Sequence, residues 1–541
     1  MGAFDKMFEI LEKDLAGRIG ILETRHGKIE TPAIAPVVNP SKNIIIPAKI
    51  VDLNFPLLMT NAYILKKQYG ELAEELSVHR ILGVEKPVMT DSGAYQLMTY
   101  GKIDVTPEEI LRFEEAIGSD IGVILDLPTP PGLSQEEAKE RVEETLRRAK
   151  KALEIRKGEM LLVGPVQGSI YLDLVEYSAR EMSDMNFDIF AIGGFTQLME
   201  RYNFVAMVDA VVRAKTWLPP DKPVHLFGGG NPVMLSLAVA LGIDLFDSAA
   251  YAIYAKDLRY MTGYGVLRFE RLKELPCNCP VCSKYKIEDL KELPREELEQ
   301  KIALHNLYVI SKEIKTIKQA IHEGWLWELI ERKAAGQPAI MDALCRLRKY
   351  VKFLEKHHPV TRQPVRGLTF SLPTSIWRPE IYRHVRRLDS RYLPPTCNTL
   401  LILPETPEKP YTRYGPISII YKLIKNKGIS CHIIVYSPIF GIVPIELSEI
   451  FPLSQYKVSR LITRSISKIL RYALSSYLIK HSNNYTKIIF IIDDELINVK
   501  KSFIKKLKSK CPSIKTIYYS VSRIKDEKSA SQFLHKILNI D

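Results

Sequence analysis

Short apolar runs that stop abruptly at a polar residue or a glycine recur through the first 250 positions of the chain. Val88-Met89 runs into Thr90-Asp91-Ser92-Gly93, I-G-V-I-L ends at Asp126, and L-L-V-G-P-V ends at Gln167-Gly168. I-F-A-I gives way to Gly193-Gly194, V-H-L-F to Gly228-Gly229-Gly230, and G-I-D-L-F to Asp247. Two further runs upstream, T-P-A-I-A-P-V-V-N and F-P-L-L-M-T-N, complete eight strand candidates, most of them separated by helix-length segments. A continuous apolar run bounded by turn residues marks a strand buried on both faces. Eight such β/α units closing on themselves predict a TIM (β/α)8 barrel, whose active site lies at the C-terminal strand ends. The residues that terminate the runs are therefore the candidate functional residues.

Around this core, residues 18–34 alternate about His26-Gly27 and predict a β-hairpin covering the bottom of the barrel. Thr106-Pro107-Glu108-Glu109 opens a helix over 107–118, and Ser134 with Glu137 opens another over 134–157. A helix over 232–242 follows the glycine triplet, a long amphipathic helix spans about 295–322, and another lies near 338–356. The expected organisation is a catalytic barrel over 1–356, a linker at 357–366 (H-H-P-V-T-R-Q-P onward), and a smaller α/β region over 367–541. Apolar runs at 399–403, 433–436, 487–492 and 516–519 supply the strands of that region.

A chain of 541 residues exceeds what one core organises. No apolar run reaches 18 residues and Met1-Gly2-Ala3-Phe4-Asp5 lacks the pattern of a signal peptide, so the cytoplasm is the expected compartment. Charge divides the chain sharply: from Thr361 onward there are 30 Lys+Arg against 12 Asp+Glu, a net +18, whereas the first 360 residues carry −5. A near-neutral catalytic part joined to a basic one points to a polyanionic partner, most simply nucleic acid, with surface composition as the alternative source of the lysines.

Two constellations carry chemistry. Cys277, Cys279 and Cys282 form C-x-C-x2-C and His305 follows on the long helix, a set that would close a tetrahedral structural zinc site. Asp91, Asp126 and Asp247, each ending a predicted strand, converge on one cavity, and paired carboxylates at a sugar anomeric carbon are the usual equipment of glycosidic chemistry. Gln167 and the Gly193-Gly194 pair offer the amide donors that a purine carbonyl requires, and Tyr95 is placed to stack on a flat base. Gly228-Gly229-Gly230 reads equally as a phosphate cradle or as space for a ligand or nucleophile to approach the backbone.

D-S-G-A-Y-Q, L-D-L-P, P-V-Q-G-S, I-G-G-F, F-D-S-A-A-Y and C-x-C-x2-C…H, in this order, resemble the tRNA-guanine transglycosylase family over roughly residues 10–350. The short Cys282-to-His305 spacing, F-D-S-A-A-Y and the C-terminal region resemble its archaeal, archaeosine-forming branch. The resemblance implies exchange of guanine at position 15 of the tRNA D-loop for 7-cyano-7-deazaguanine (preQ0), through a covalent enzyme–tRNA intermediate and without a redox cofactor. It implies Asp247 as nucleophile at ribose C1′ and Asp91 as general acid/base, although the residues themselves leave open which of the two attacks. It further implies Asp126 receiving the base N1–H and 2-amino group, Gln167 and the Gly194 N–H donating to O6, one structural zinc per chain, and a homodimer. An alternative is a non-catalytic tRNA-binding subunit, against which the retained carboxylates argue. P-I-F-G-I-V-P-I-E-L-S-E-I-F-P-L-S-Q-Y at 438–456 resembles a C-terminal segment of the archaeal enzymes, while no terminal RNA-binding PUA domain is recognisable, leaving a separate protein as its candidate source.

Overall fold

The computed structural model describes residues 7–96, 104–361, 366–459, 467–494, 496–497 and 499–538. The chain separates into two compact units, Met1–Pro359 and Val360–Asp541. Of the expected linker, residues 362–365 lie outside the described residues. His358 is built into the first unit, its Nδ1 accepting from the Leu15 backbone N–H at 3.0 Å.

The first unit opens with a three-stranded antiparallel sheet, β1 (Phe8–Asp14), β2 (Gly17–Thr24) and β3 (Gly27–Thr31). The hairpin expected around His26-Gly27 is β2–β3; β1 was not anticipated, because its exposed Glu9, Glu12 and Lys13 mask a two-residue alternation broken by a bulge between Ile10 and Glu12. Eight parallel strands follow: β4 (Ala33–Pro36), β5 (Leu58–Asn61), β6 (Val88–Asp91), β7 (Ile121–Val123), β8 (Leu161–Val166), β9 (Ile189–Ile192), β10 (Val224–Leu226) and β11 (Leu245–Ser248). Each pairs with its sequence neighbour, and β11 pairs with β4. The ring closes between β4 and β5 through a Val37–Met59 bridge, with the Val38 N–H donating to Met59 O at 2.8 Å. This is the TIM barrel.

Its floor is apolar. Ala33, Ala35, Met59, Met89, Ile121, Val163, Ile189 and Leu245 form one buried cluster with Phe8, Leu22 and Ile29 of the small sheet, so that sheet plugs the end opposite the strand C-termini. Truncating the fully buried Ile29 to Ala would cost about 2–5 kcal/mol. At the hairpin tip, the His26 N–H and ring Nδ1 both meet Asp120 Oδ1 at 2.9 Å, while His79 Nε2 meets Asp120 Oδ2 at 2.9 Å. Both expected helix starts are capping boxes: Thr106 with Glu109 opens Pro107–Ala116, and Ser134 with Glu137 opens Gln135–Ile155.

After β11 come a hairpin, β12 (Arg259–Thr262) and β13 (Gly265–Arg268), and the long helix Arg295–Glu323. The helix expected near 338–356 is divided into Pro338–Leu347, a 3-10 turn at Arg348–Tyr350 and Val351–His357. The helix Leu326–Gly336 escaped the sequence pattern because its polar residues are buried too. Lys333 pairs with Glu313 at 3.0 Å and donates to Gly263 O at 2.7 Å, and Trp327 Nε1 donates to Glu331 at 3.0 Å.

The second unit is a five-stranded α/β sheet beside a short strand pair. Its strands are β14 (Leu368–Phe370), β15 (Thr399–Pro404), β16 (Cys431–Ser437), β17 (Gly441–Pro444), β18 (Tyr456–Val458), β19 (Lys487–Ile492) and β20 (Ile514–Tyr518). The main sheet has order β17-β16-β15-β19-β20, parallel except for β17. Leu401 and Leu403 face helices Gly415–Asn426 and Glu527–Leu538, whereas Leu400 and Ile402 face Ser467–His481 and Lys501–Lys510. Cover on both faces is why these strands read as unbroken apolar runs. No helix among the described residues is long and apolar enough to cross a membrane.

Candidate active site and metal cluster

Every strand-end residue singled out in the sequence stands on the C-terminal rim of the barrel. Asp91 is the last residue of β6, Asp126 lies three residues past β7, Gln167 follows β8, Gly193-Gly194 follow β9, and Asp247 is within β11. Asp126 and Asp247 stand close enough to Asp91 to oppose its ionisation, and with burial as the larger cause its carboxyl is pushed up to about 7. Asn61, at the end of β5, steadies it: Asn61 Nδ2 donates to Asp91 Oδ2 at 2.8 Å, while Asn61 Oδ1 accepts the Ile64 N–H at 2.9 Å and so caps the next helix.

Asp126 is buried, which raises its carboxyl to about 6 against the stabilising bond donated by Gln167 Nε2. The other end of that amide is occupied as well. Gln167 Oε1 accepts from the Thr129 N–H (3.1 Å) and the Thr129 hydroxyl (2.9 Å). Gln167 thus orients Asp126, and of its two amide hydrogens one remains for another acceptor. Gly194 has φ +83°, and a Cβ there would lie 2.7 Å from Thr129 O. A Cβ on Gly193 would lie 2.5 Å from Gln167 Nε2, so this pair of glycines lets the chain pass directly against the amide.

Asp247 is held on one oxygen. Its Oδ1 accepts from His225 Nε2 (2.9 Å) and from the Gly228 N–H (2.8 Å), and Gly228 reaches that pose with φ +67°. Of the two readings of the glycine triplet, the geometry carries the approach of a carboxylate to bare backbone. Tyr95 is 62 % exposed, a rim aromatic rather than a core one. Sequence reasoning missed Asn61, Thr129 and His225; the available signal was a polar side chain inside or just after an apolar strand.

The ligand atoms of Cys277, Cys279, Cys282 and His305 lie within 4.8 Å of one another, so this set could hold a metal ion. His305 Nδ1 is 3.5 Å from both Cys279 Sγ and Cys282 Sγ. His305 Nε2 lies 2.9 Å from Met261 O; donating its proton there leaves Nδ1 bare towards the sulfurs. Tyr260 stacks on the ring at 3.6 Å between centroids. His26, His79 and Asp120 form a second grouping, but there the ring nitrogens bond directly to the carboxylate and the rings stack at 3.7 Å.

A parallel barrel carrying convergent carboxylates on its rim and a Cys3His cluster behind its last strand defines a class of base- or sugar-handling enzymes. The chain belongs to the queuine tRNA-ribosyltransferase family, whose profile matches residues 14–339. A domain of unknown function matches residues 381–531. Relatives named tRNA-guanine(15) transglycosylase include that of Sulfolobus acidocaldarius, 41 % identical over 89 % of this chain and 95 % of the relative. That of Pyrobaculum aerophilum is 44 % identical over 83 % and 89 %, and that of Methanocaldococcus jannaschii 42 % identical over 84 % and 69 %.

Proposed function

We propose that the protein replaces guanine at position 15 of tRNA with preQ0 by double displacement, the base-exchange step of archaeosine formation. The observation that carries this reading is the difference between the carboxylates on one rim. Asp91, raised to about 7, is shared about equally between its acid and base forms at neutral pH, as a group that both gives and takes a proton must be, whereas Asp247 is braced by two donors. Asp247 attacks ribose C1′ as Asp91 protonates the departing guanine; Asp91 then takes the proton of the incoming base as that base displaces Asp247. Asp126 receives N1–H and the 2-amino group, and the Gly194 N–H with the spare Gln167 amide hydrogen meets O6. Adenine, with the opposite pattern, would leave these buried groups unpaired. Tyr95 stacks against the base.

A structural zinc in the Cys277, Cys279, Cys282 and His305 cluster is part of the proposal. Sulfur and nitrogen ligands on a tetrahedral zinc sit about 3.6 Å apart, against the 3.5 Å separations in the cluster. The zinc would tie the loop to the long helix and take no part in the exchange. The basic second unit is assigned to gripping tRNA phosphates, alone or with a separate PUA-type protein, in a cytoplasmic homodimer. The test is exchange of radiolabelled guanine into a tRNA transcript with and without guanine at position 15. Incorporation independent of that base would sink the reading.

A further inference from the structure

His225 lies in the middle of β10 with no exposed surface, and the only hydrogen-bond partner of its ring among the described residues is Asp247. Its Nε2 is 2.9 Å from Asp247 Oδ1, while its buried Nδ1 meets no donor or acceptor among them. A neutral imidazole carries one N–H. Placed on Nε2, that hydrogen makes a bond to the carboxylate; placed on Nδ1, it would be an orphaned buried donor and would leave two lone pairs facing each other. Protonating both nitrogens would orphan Nδ1–H as well. The Gly228 N–H also donates to Oδ1, and Oδ2 receives no bond from the described residues. The carboxylate is therefore asymmetric, one oxygen clamped and the other open.

We propose that His225 is a positioning residue of the exchange reaction, clamping Oδ1 so that Oδ2 of Asp247 is the atom that bonds to ribose C1′, and easing departure of Asp247 from the adduct. The inference rests on the reading of Asp247 as nucleophile. In the first step an Oδ2 lone pair forms the bond to C1′ while the glycosidic electron pair leaves with guanine, which takes the Asp91 proton. In the second, the incoming base bonds to C1′, its proton passes to Asp91, and the Oδ2–C1′ electron pair returns to the carboxylate. Within the ester, Oδ1 is a neutral acceptor; as the ester breaks it regains anionic charge, and a hydrogen bond to it strengthens. His225 therefore favours breakdown of the adduct over its accumulation.

The experiment compares full-length native protein, His225→Leu and His225→Gln in guanine exchange, together with the fraction of enzyme trapped as a denaturation-resistant tRNA adduct. His225→Leu is expected to lower kcat about 10- to 100-fold, with the KM for tRNA falling rather than rising as the adduct fraction rises. The glutamine amide can reach Oδ1, so His225→Gln should return the adduct fraction towards native. In native protein, 15N spectra of the imidazole at pH 7 should show the proton on Nε2 and a bare Nδ1. An adduct fraction that falls together with kcat in both variants, or a proton on Nδ1, overturns the inference. Should His225→Leu not fold, the spectra and His225→Gln decide. Native protein that forms no adduct removes the nucleophile reading and this one with it, whereas a native adduct left unchanged in both variants refutes His225 alone.

Discussion

Asp91→Asn tests the electrostatics of the site through stability as well as turnover. Asp91 is held at about 7 against an ordinary 3.8, by burial first and then by Asp126 and Asp247. The rise from 3.8 to about 7 corresponds to about 4 kcal/mol. Asp91 is only half-buried, so screening by water trims the penalty to about 2–3 kcal/mol. The folded value lies above the unfolded one, so the folded state holds the proton more tightly. The penalty is absent below pH 4, grows between 4 and 7, and is complete above 7. Asparagine removes the titration and can still accept from Asn61 Nδ2, the bond now made to Asp91 Oδ2 at 2.8 Å. Chemical denaturation of full-length protein at pH 5 and pH 8.5, followed through the barrel tryptophans, measures the difference. The variant should gain about 1–3 kcal/mol relative to native between the two pH values, while exchange activity is lost at both. A native-to-variant stability difference that is the same at pH 5 and 8.5 would refute the raised carboxyl, and with it the case for Asp91 as the acid.

Asp247→Asn should abolish exchange and the denaturation-resistant adduct while tRNA affinity stays within about twofold, since the amide keeps shape but lacks nucleophilicity. An adduct that survives there and vanishes in Asp91→Asn would reverse the two roles. Cys279→Ala should reduce bound zinc, read by elemental analysis, and weaken hydrogen-exchange protection across 275–310 without changing base preference, because the ion is coupled to local folding. Full protection with no metal in native protein would refute the site. Replacing the exposed Lys505, Lys506, Lys508 and Lys510 of one helix by Gln should weaken tRNA binding and flatten its dependence on salt, by up to about 0.9 in log–log slope for each phosphate no longer neutralised. Equal slopes would mean that this face does not touch RNA.

Much of the barrel is legible in the chain alone because each of its strands is buried on both faces. Such a strand is mostly apolar. A polar residue inside it, such as His225 in β10, gives no signal of an end, but the polar residue or glycine that stops the run marks where the strand ends, and the end of a barrel strand is where chemistry sits. That is why Asp91, Asp126, Gln167, Gly194 and Asp247 could be named before any coordinate, and why Thr106 and Ser134 announced their helices. The cysteine spacing was equally local. What the chain could not announce are pairings across it. Leu326–Gly336 hid its apolar face because Lys333 and Glu331 are buried against Glu313 and Trp327. Asn61 reaches Asp91 thirty residues away, Gln167 turns Asp126 from forty-one, and His225 takes one particular oxygen of Asp247 from twenty-two. A strand's sequence dictates which side chains are buried and where it stops. Which proton a carboxyl keeps, and which of its oxygens is left open, depends on donors and charges that only closure of the barrel brings within about three ångströms, where desolvation makes each of them count.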